Sequence, residues 1–449
     1  MSTDTVRAGA ADEAAERRRE QRGWYFYDWA CSVYSTSVLT VFLGPYLTAV
    51  AKHAADADGF VHPLGVPVRA GSFFAYAVSA SVILSIVVMP MAGAAADRTG
   101  RKKPLLAAAA YLGAAATAGM FFLDGDRYLL GGLLLIVANA SLAVSMVLYN
   151  SYLPQIAPPE ERDAVSSRGW AFGYAAGSVV LVANLVLFTA HDSFGVSEST
   201  AVRICLASAG VWWGAFTLIP LKRLRDRHTP SAGRASAHGW RQLAATVRDM
   251  RRQPLTLSFL LAYLIYNDGI QTVISQASVY GSEELGLSQS TLITAVLLVQ
   301  VLAVGGALGM GRLARTYGAK RTILGSLVAW TLTLAAGYFL PAGAPVWFFV
   351  LAAGIGLVLG GSQALSRSLF SHLVPSGKEA EYFSAYEMSD RGMSWLGPLL
   401  FGLTYQLTGS YRDAIISLVV FFVIGFVLLA RVPVRQAIRD AGNPVPEMV

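Results

Sequence analysis

The run FLLAYLIYNDGIQTV at 259–273 carries a single charged side chain, Asp268. A carboxylate midway along an apolar helix costs about 2.5–3.5 kcal/mol on membrane-insertion scales, so it requires either a function or a partner. Asn267, Gln271 and Ser275 are spaced by four residues and share one helix face, and Gln271 and Thr272 lie within one turn of Asp268. Such a stripe can bind a small polar solute. It can also hold a proton, because a buried carboxyl alternates between charged and neutral as its exposure changes. The plainer alternative is an acid hydrogen-bonded to a neighbouring tyrosine or amide. A second acid, Asp28, stands in FYDWACSVYST, and Tyr27-Asp28 parallels Tyr266-Asn267-Asp268. Asp28 is expected close to the start of its helix. It therefore reads equally as a substrate or proton group and as an N-terminal charge favoured by the helix dipole.

The remaining chemistry-bearing residues are fewer. Arg168, Arg367, Glu387, Asp390 and Arg391 fall at helix ends, where ion pairing or snorkelling is the ordinary role. Arg168 and Glu387 could additionally gate, as a pair that forms when one side closes. Trp29, Trp170 and Trp395 can line a cavity wall or simply pack, and Asn139 and Gln363 are weaker polar candidates. The six histidines, at 53, 62, 191, 228, 238 and 372, stand in loops without metal-ligand spacing, and there is no GxxxxGK[ST] loop. A metal enzyme and an ATP-driven pump are therefore not supported, and no cofactor or metal is expected. Two cysteines, Cys31 and Cys205, both inside apolar runs, make no disulfide framework.

The elements that would position these groups are membrane spans. Charged residues make up 14% of the chain and hydrophobic ones 54%, too little polar surface to cover a soluble core of this size. Runs of about twenty apolar residues, enough to cross a bilayer, lie near 26–50, 70–96, 104–123, 128–153, 166–190 and 200–221. Six more lie near 255–280, 289–311, 321–340, 346–370, 384–407 and 412–431. The expected fold is an all-α membrane protein of two six-helix bundles, 26–221 and 255–431, joined by a linker at 222–254. Residues 1–25 and 432–449 are the tails. Residues 1–22 are polar and charged, with Arg17, Arg18, Arg19 and Arg22, and read as an inner flank rather than a cleavable signal. In the linker, Trp240, Leu243 and Val247 stand at helical spacing opposite arginines, which fits a membrane-surface helix or a solvated tether.

Loop charge sets the orientation. With the N-terminus inside, the inner loops hold nineteen Lys and Arg and the outer loops three, Lys52, Arg69 and Arg127. The positive-inside rule then places both termini in the cytoplasm of a multi-pass cell-membrane protein. The net charge of +7 lies in these short loops, so no nucleic-acid partner is implied.

The two bundles are related in sequence. GAAADRTGRKK at 93–103 aligns with GRLARTYGAKR at 311–321, and NSYLPQIAPPEER with RSLFSHLVPSGKE. Parallel six-helix repeats are an architecture of transporters that expose a central site alternately to each side.

Gly93, Asp97, Arg98, Gly100, Arg101 and Lys102 fill every defined position of G-x3-D-R-x-G-R-K. Gly93 permits close helix approach and Gly100 a tight turn. Asp97 can face a helix N-terminus or a basic partner, and the basic residues hold the loop at an anionic inner surface. The pattern resembles the signature of the major facilitator superfamily, in which it is understood as a conformational latch. YDWACSVYST at 27–36, NSYLPQIAPPEERDAVSSRGWAFGYAAG at 150–177, FLLAYLIYNDGIQTV at 259–273 and LGPLLFG at 396–402 are similar to one branch of it. That branch includes the fungal vacuolar amino-acid effluxer linked to autophagy and many bacterial permeases. The branch usually has asparagine where this chain has Cys31, and the second copy of the loop has Arg315 where the first has Asp97.

The expectation is a secondary transporter of a small metabolite, with amino acids first by the resemblance, working as a monomer in the bilayer; as buried carboxyls, Asp268 with Asp28 would couple transport to protons. A multidrug or hydrophobic-compound exporter of the same superfamily is the alternative, and a receptor that binds without translocating is a third.

Overall fold

A computed structural model describes residues 3–226, 248–392 and 396–448. Trp240, Leu243, Val247 and Trp395 lie outside the described residues, as does the side chain of Arg391. The first helix, α1 (Thr3–Val33), runs on through a π-helical stretch, Tyr34–Phe42, into α2 (Leu43–His53). A short hairpin of β1 (Phe60–Val61) and β2 (Val68–Arg69) leads to α3 (Phe73–Thr99). Next come α4 (Lys102–Gly119), α5 (Tyr128–Asn150), α6 (Leu153–Ile156), α7 (Arg162–Thr189) and α8 (Glu198–Arg223). The later helices are α9 (Pro254–Val279), α10 (Gln289–Tyr317), α11 (Ala319–Tyr338) and α12 (Pro345–His372). They are followed by α13 (Glu379–Gly392), α14 (Leu396–Thr408), α15 (Tyr411–Ser417), α16 (Val419–Arg431) and α17 (Val434–Asp440).

Ten helices among the described residues are long and apolar enough to cross a membrane. The expected ninth span is α11, twenty residues long, and the described residues of the eleventh fall in α13 and α14. The expected polar flank is helical from Thr3, so the first helix begins far earlier than its apolar run. Its inner part is held by α8: Glu16 pairs with Arg225, and Gly23 lets the Arg223 side chain lie against the backbone.

The chain forms two compact units, Met1–Asn150 with Ala176–Trp240 and Ser151–Ala175 with Arg241–Val449. Within the first unit α1 packs on α8, α3 on α5, and α4 on both α5 and α8. Within the second, α9 packs on α16, α10 on α12, and α11 on both α12 and α16. The pairing of first, second, third, fourth and last helices is the same in each. Close approaches are made with glycine. A Cβ on Gly210 would strike the α4 backbone at Ala114 and Ala118, and one on Gly360 the α10 backbone at Ala303.

The aligned loops repeat too, with a slip. Gly100 and Gly318 both turn the chain at positive φ, 63° and 85°. The first turn has two residues between helices and the second only Gly318, so Lys103 and Lys320 become equivalent as second residues of α4 and α11. Lys103 Nζ donates to Leu224 O at the end of α8 (3.0 Å), and Lys320 Nζ to Ala430 O and Val432 O at the end of α16 (2.9 and 2.8 Å). Each lysine thus caps a helix C-terminus with charge of the favoured sign. Replacing Gly100 with Ala puts a Cβ into left-handed backbone, and we expect the thermal unfolding midpoint in detergent to fall by an amount equivalent to roughly 1–2 kcal/mol.

Candidate functional site

In the second unit α9 carries the polar stripe. Asp268 is 2% exposed, and its Oδ2 accepts the Gly397 backbone N–H at 2.7 Å. Gly397 belongs to α14, so this bond ties α9 to α14. Gly269 lets α9 press against Phe421 and Phe422 of α16, and Thr272 Oγ1 bonds back to Asp268 O. Asp268 Oδ1 is buried with no hydrogen-bond donor among the described residues.

One residue earlier, Asn267 is 1% exposed and donates from Nδ2 to Asp390 Oδ1 on α13 at 2.6 Å. Tyr263 OH donates to the same oxygen at 3.0 Å, and its ring stacks on Tyr386 at 4.4 Å. Asn267 Oδ1 is a second buried acceptor without a donor among the described residues. Leaving such an oxygen unpaired costs about 1–3 kcal/mol. Along the same stripe burial falls away: Gln271 is partly buried and Ser275 is exposed, with its hydroxyl on Thr272 O. Tyr263, Asp390 and Gly397 were not legible as partners of Asp268 and Asn267, because they come from other turns or other helices. Gly397 does lie within the LGPLLFG run, the one trace of it in the sequence.

Asp28 has a different setting in the first unit. It is 5% exposed and accepts the Tyr149 hydroxyl at 2.6 Å. Tyr149 is itself fixed by Trp24, which stacks on it at 4.4 Å and donates Nε1–H to its carbonyl at 2.9 Å. Because α1 begins at Thr3, Asp28 is deep in its helix and is not an N-terminal charge; that expectation is corrected. Cys31 lies one turn on, its Sγ 3.8 Å from Met146 Sδ. The π-helical stretch follows, with Tyr34, Thr36 and Ser37 buried; π segments are frequent at functional sites. Tyr149→Phe removes a donor from a buried carboxylate, and we expect a loss of about 1–3 kcal/mol in unfolding free energy, read from urea unfolding of the detergent-solubilised protein.

The signature residues form a compact turn. Asp97 and Lys102, 5% exposed each, make an ion pair at 3.3 Å. Arg98 Nε bonds Ala94 O on its own helix, Gly93 is buried, Gly100 makes the turn and Arg101 is exposed. Asp97 therefore meets a basic partner, within the turn itself.

In the second unit Arg168 is exposed and Glu387 is 5% exposed. The start of α7 is held instead by two other arginines. Arg367, 1% exposed on α12, donates Nε to Ser166 Oγ and Nη2 to Ser166 O, both at 2.9 Å. Its guanidinium lies 5.4 Å from the Trp170 ring centre. Arg162 reaches the other way, to Ser371 O at 2.9 Å and His372 Nδ1 at 3.3 Å. The arginine expected to snorkel is thus fully buried. Among the described residues no His, Cys, Asp and Glu gather as a metal site would need.

Comparison with known proteins gives a consistent picture. Residues 16–442 match the family model described as vacuole effluxer Atg22 like. An uncharacterised MFS-type transporter of Bacillus subtilis, YxiO, is 30% identical over 92% of this chain and 95% of its own length. Autophagy-related protein 22-1 of Aspergillus niger is 25% identical over 96% of this chain and 91% of its own. Among solved structures, the major facilitator superfamily transporter FucP in its outward conformation superposes with a TM-score of 0.67 at 14% identity, over 92% of this chain and 98% of that one. The proton:xylose symporter XylE gives 0.64 at 15% identity, over 92% and 94%. The fold is that of the major facilitator superfamily.

Proposed function

Because this chain belongs to the Atg22-like family of the major facilitator superfamily, and is therefore a multi-pass membrane transporter, we propose that it moves a small polar metabolite by alternating access. Amino acids are the first class to test, since the relatives at full length include autophagy-related proteins 22 and the family model describes effluxers. The observation that carries the reading is the pair of buried oxygens on Asn267 and Asp268 that have no donor among the described residues. Asp268 is the proton-coupling group. Asn267, Gln271 and Ser275 line the solute's path, and Asp28 is a second carboxyl on the corresponding helix of the first unit.

In this reading the latch is Gly93, Asp97, Arg98, Gly100, Arg101 and Lys102, whose ion pair and turn fix one conformation. Arg168 and Glu387 pair in the state opposite to the one described here. Both termini lie in the cytoplasm and the protein resides in the cell membrane as a monomer, in keeping with the loop charges. A second reading, export of cationic hydrophobic compounds, has one observation in its favour: Asp28 sits among the aromatic rings of Trp24, Tyr27 and Tyr149.

Proton flux into protein-containing liposomes, driven by added amino acids and then by cationic drugs, separates the two. The amino-acid reading expects flux with at least one amino acid and none with the drugs. The reverse pattern would establish the exporter.

A further inference from the structure

The last four carbonyls of a helix have no partner within it and must be satisfied from outside. At the end of α12 the carbonyls are taken up by three separate segments. Ser371 O accepts from Arg162, Leu373 O from Thr256 Oγ1 at 3.4 Å, and His372 O and Val374 O from Asn443 Nδ2 at 2.9 and 2.7 Å. Asn443 belongs to the C-terminal tail, beyond α17. Gly442, at φ 77°, ends α17 and turns the chain so that Asn443 faces α12. The tail is then fixed further: Val445 packs on the apolar core of the second unit, Pro446 is buried, and Arg435 holds Glu447 O at 3.1 Å.

Pro446, Glu447 and Met448 roof a cavity of about 210 Å³, whose other walls include Asp163 at the start of α7 and His372 at the end of α12. The tail therefore covers the start of α7 and the end of α12, next to the bond from Arg162 to Ser371 O. A disordered extension would show none of this. Its polar sequence conceals the arrangement, since a single side chain, Asn443, makes both bonds to α12.

We propose that residues 441–448 form a strap that locks the end of α12 and the adjoining start of α7, and that releasing it opens this end of the second unit. Any effect on the rate of transport rests on the functional reading above, but the strap itself does not.

The test uses the full chain with Cys31 and Cys205 replaced by Ser and a reporter, Ser371→Cys, at a position that is 0% exposed. Alkylation of that thiol by a membrane-impermeant maleimide is followed in detergent. Asn443→Ala, Asn443→Asp (which accepts but cannot donate) and a chain ending at Asp440 are each expected to react about tenfold faster or more, the loss of two hydrogen bonds being worth roughly that factor. Equal rates in all four proteins would overturn the strap. In case the variants unfold, hydrogen exchange on the unaltered protein gives a second measure. The Ala441 and Asn443 amides, bonded to Ala437 O and Ile438 O, are expected to exchange at least tenfold slower than in a free peptide. Exchange at the free-peptide rate would equally overturn the proposal. Neither measurement involves transport, so a failure of the transport reading would leave both results standing.

Discussion

Asp268→Asn is expected to abolish accumulation of solute driven by a pH gradient while leaving downhill exchange of the same solute in place. The amide oxygen can still accept the Gly397 N–H, so the bond between α9 and α14 is kept and the shape of the site survives. What disappears is the titratable group, and with it the second acceptor oxygen, which becomes an NH₂ donor. Uphill transport should fall by about a hundredfold, since typical coupling between two sites, about 1–3 kcal/mol, is a factor of about 5–150 and removing the proton site removes the coupling altogether. Asp268→Ala should do more damage. It orphans the Gly397 N–H as well, at a cost of about 1–3 kcal/mol, so both uphill and downhill transport should decline. Radiolabelled uptake with and without a pH gradient reads both. An Asn variant that still concentrates solute would remove Asp268 from the coupling step.

The second large effect is expected at Arg367. Hydrogen bonds from a charged donor are worth about 1.5–3 kcal/mol each, and a desolvated cation over an indole roughly 2 kcal/mol. Arg367 makes two such bonds to Ser166 and lies over Trp170. Arg367→Met should therefore destabilise by about 3–5 kcal/mol and collapse transport, because α7 loses its hold on α12. Lysine lacks the planar fork and can reach only one Ser166 oxygen at a time. The expected order of stability is Arg, then Lys, then Met. Ser166→Ala removes only the hydroxyl partner and should cost about 1 kcal/mol. Urea unfolding of the four purified proteins gives these differences, and a Met variant as stable as the parent would contradict the assigned clamp.

Much of the architecture was legible because lipid imposes a simple rule. Runs of about twenty apolar residues must be helices, and the described residues of each expected run are largely helical. Duplication was legible for the same reason, through matching loops. The finer register was not. Only the helix starts show that Lys320 answers to Lys103, because the second turn is one residue shorter than the first. The early start of α1 was hidden by polar composition, since a charged helix packed along α8 has no apolar run to announce it. Asp268 could be singled out from its own neighbours, which are local. Its partner Gly397 lies 129 residues away and Asn267 bonds Asp390 at a separation of 123, so no spacing rule reaches them. For Arg367 the sequence suggests ion pairing or snorkelling, because its position near a helix end is all the sequence shows. Its burial depends on Ser166 arriving from 201 residues away.

Translocation can be measured without choosing a substrate beforehand. Purified protein in liposomes loaded with a mixed extract of small metabolites would be placed in a pH gradient, and the external medium followed by mass spectrometry. The account predicts that at least one small polar solute leaves faster than from protein-free liposomes, and that Asp268→Asn removes its dependence on the gradient. Identical release from liposomes with and without the protein, for every solute in the extract and with cationic drugs added, would contradict it.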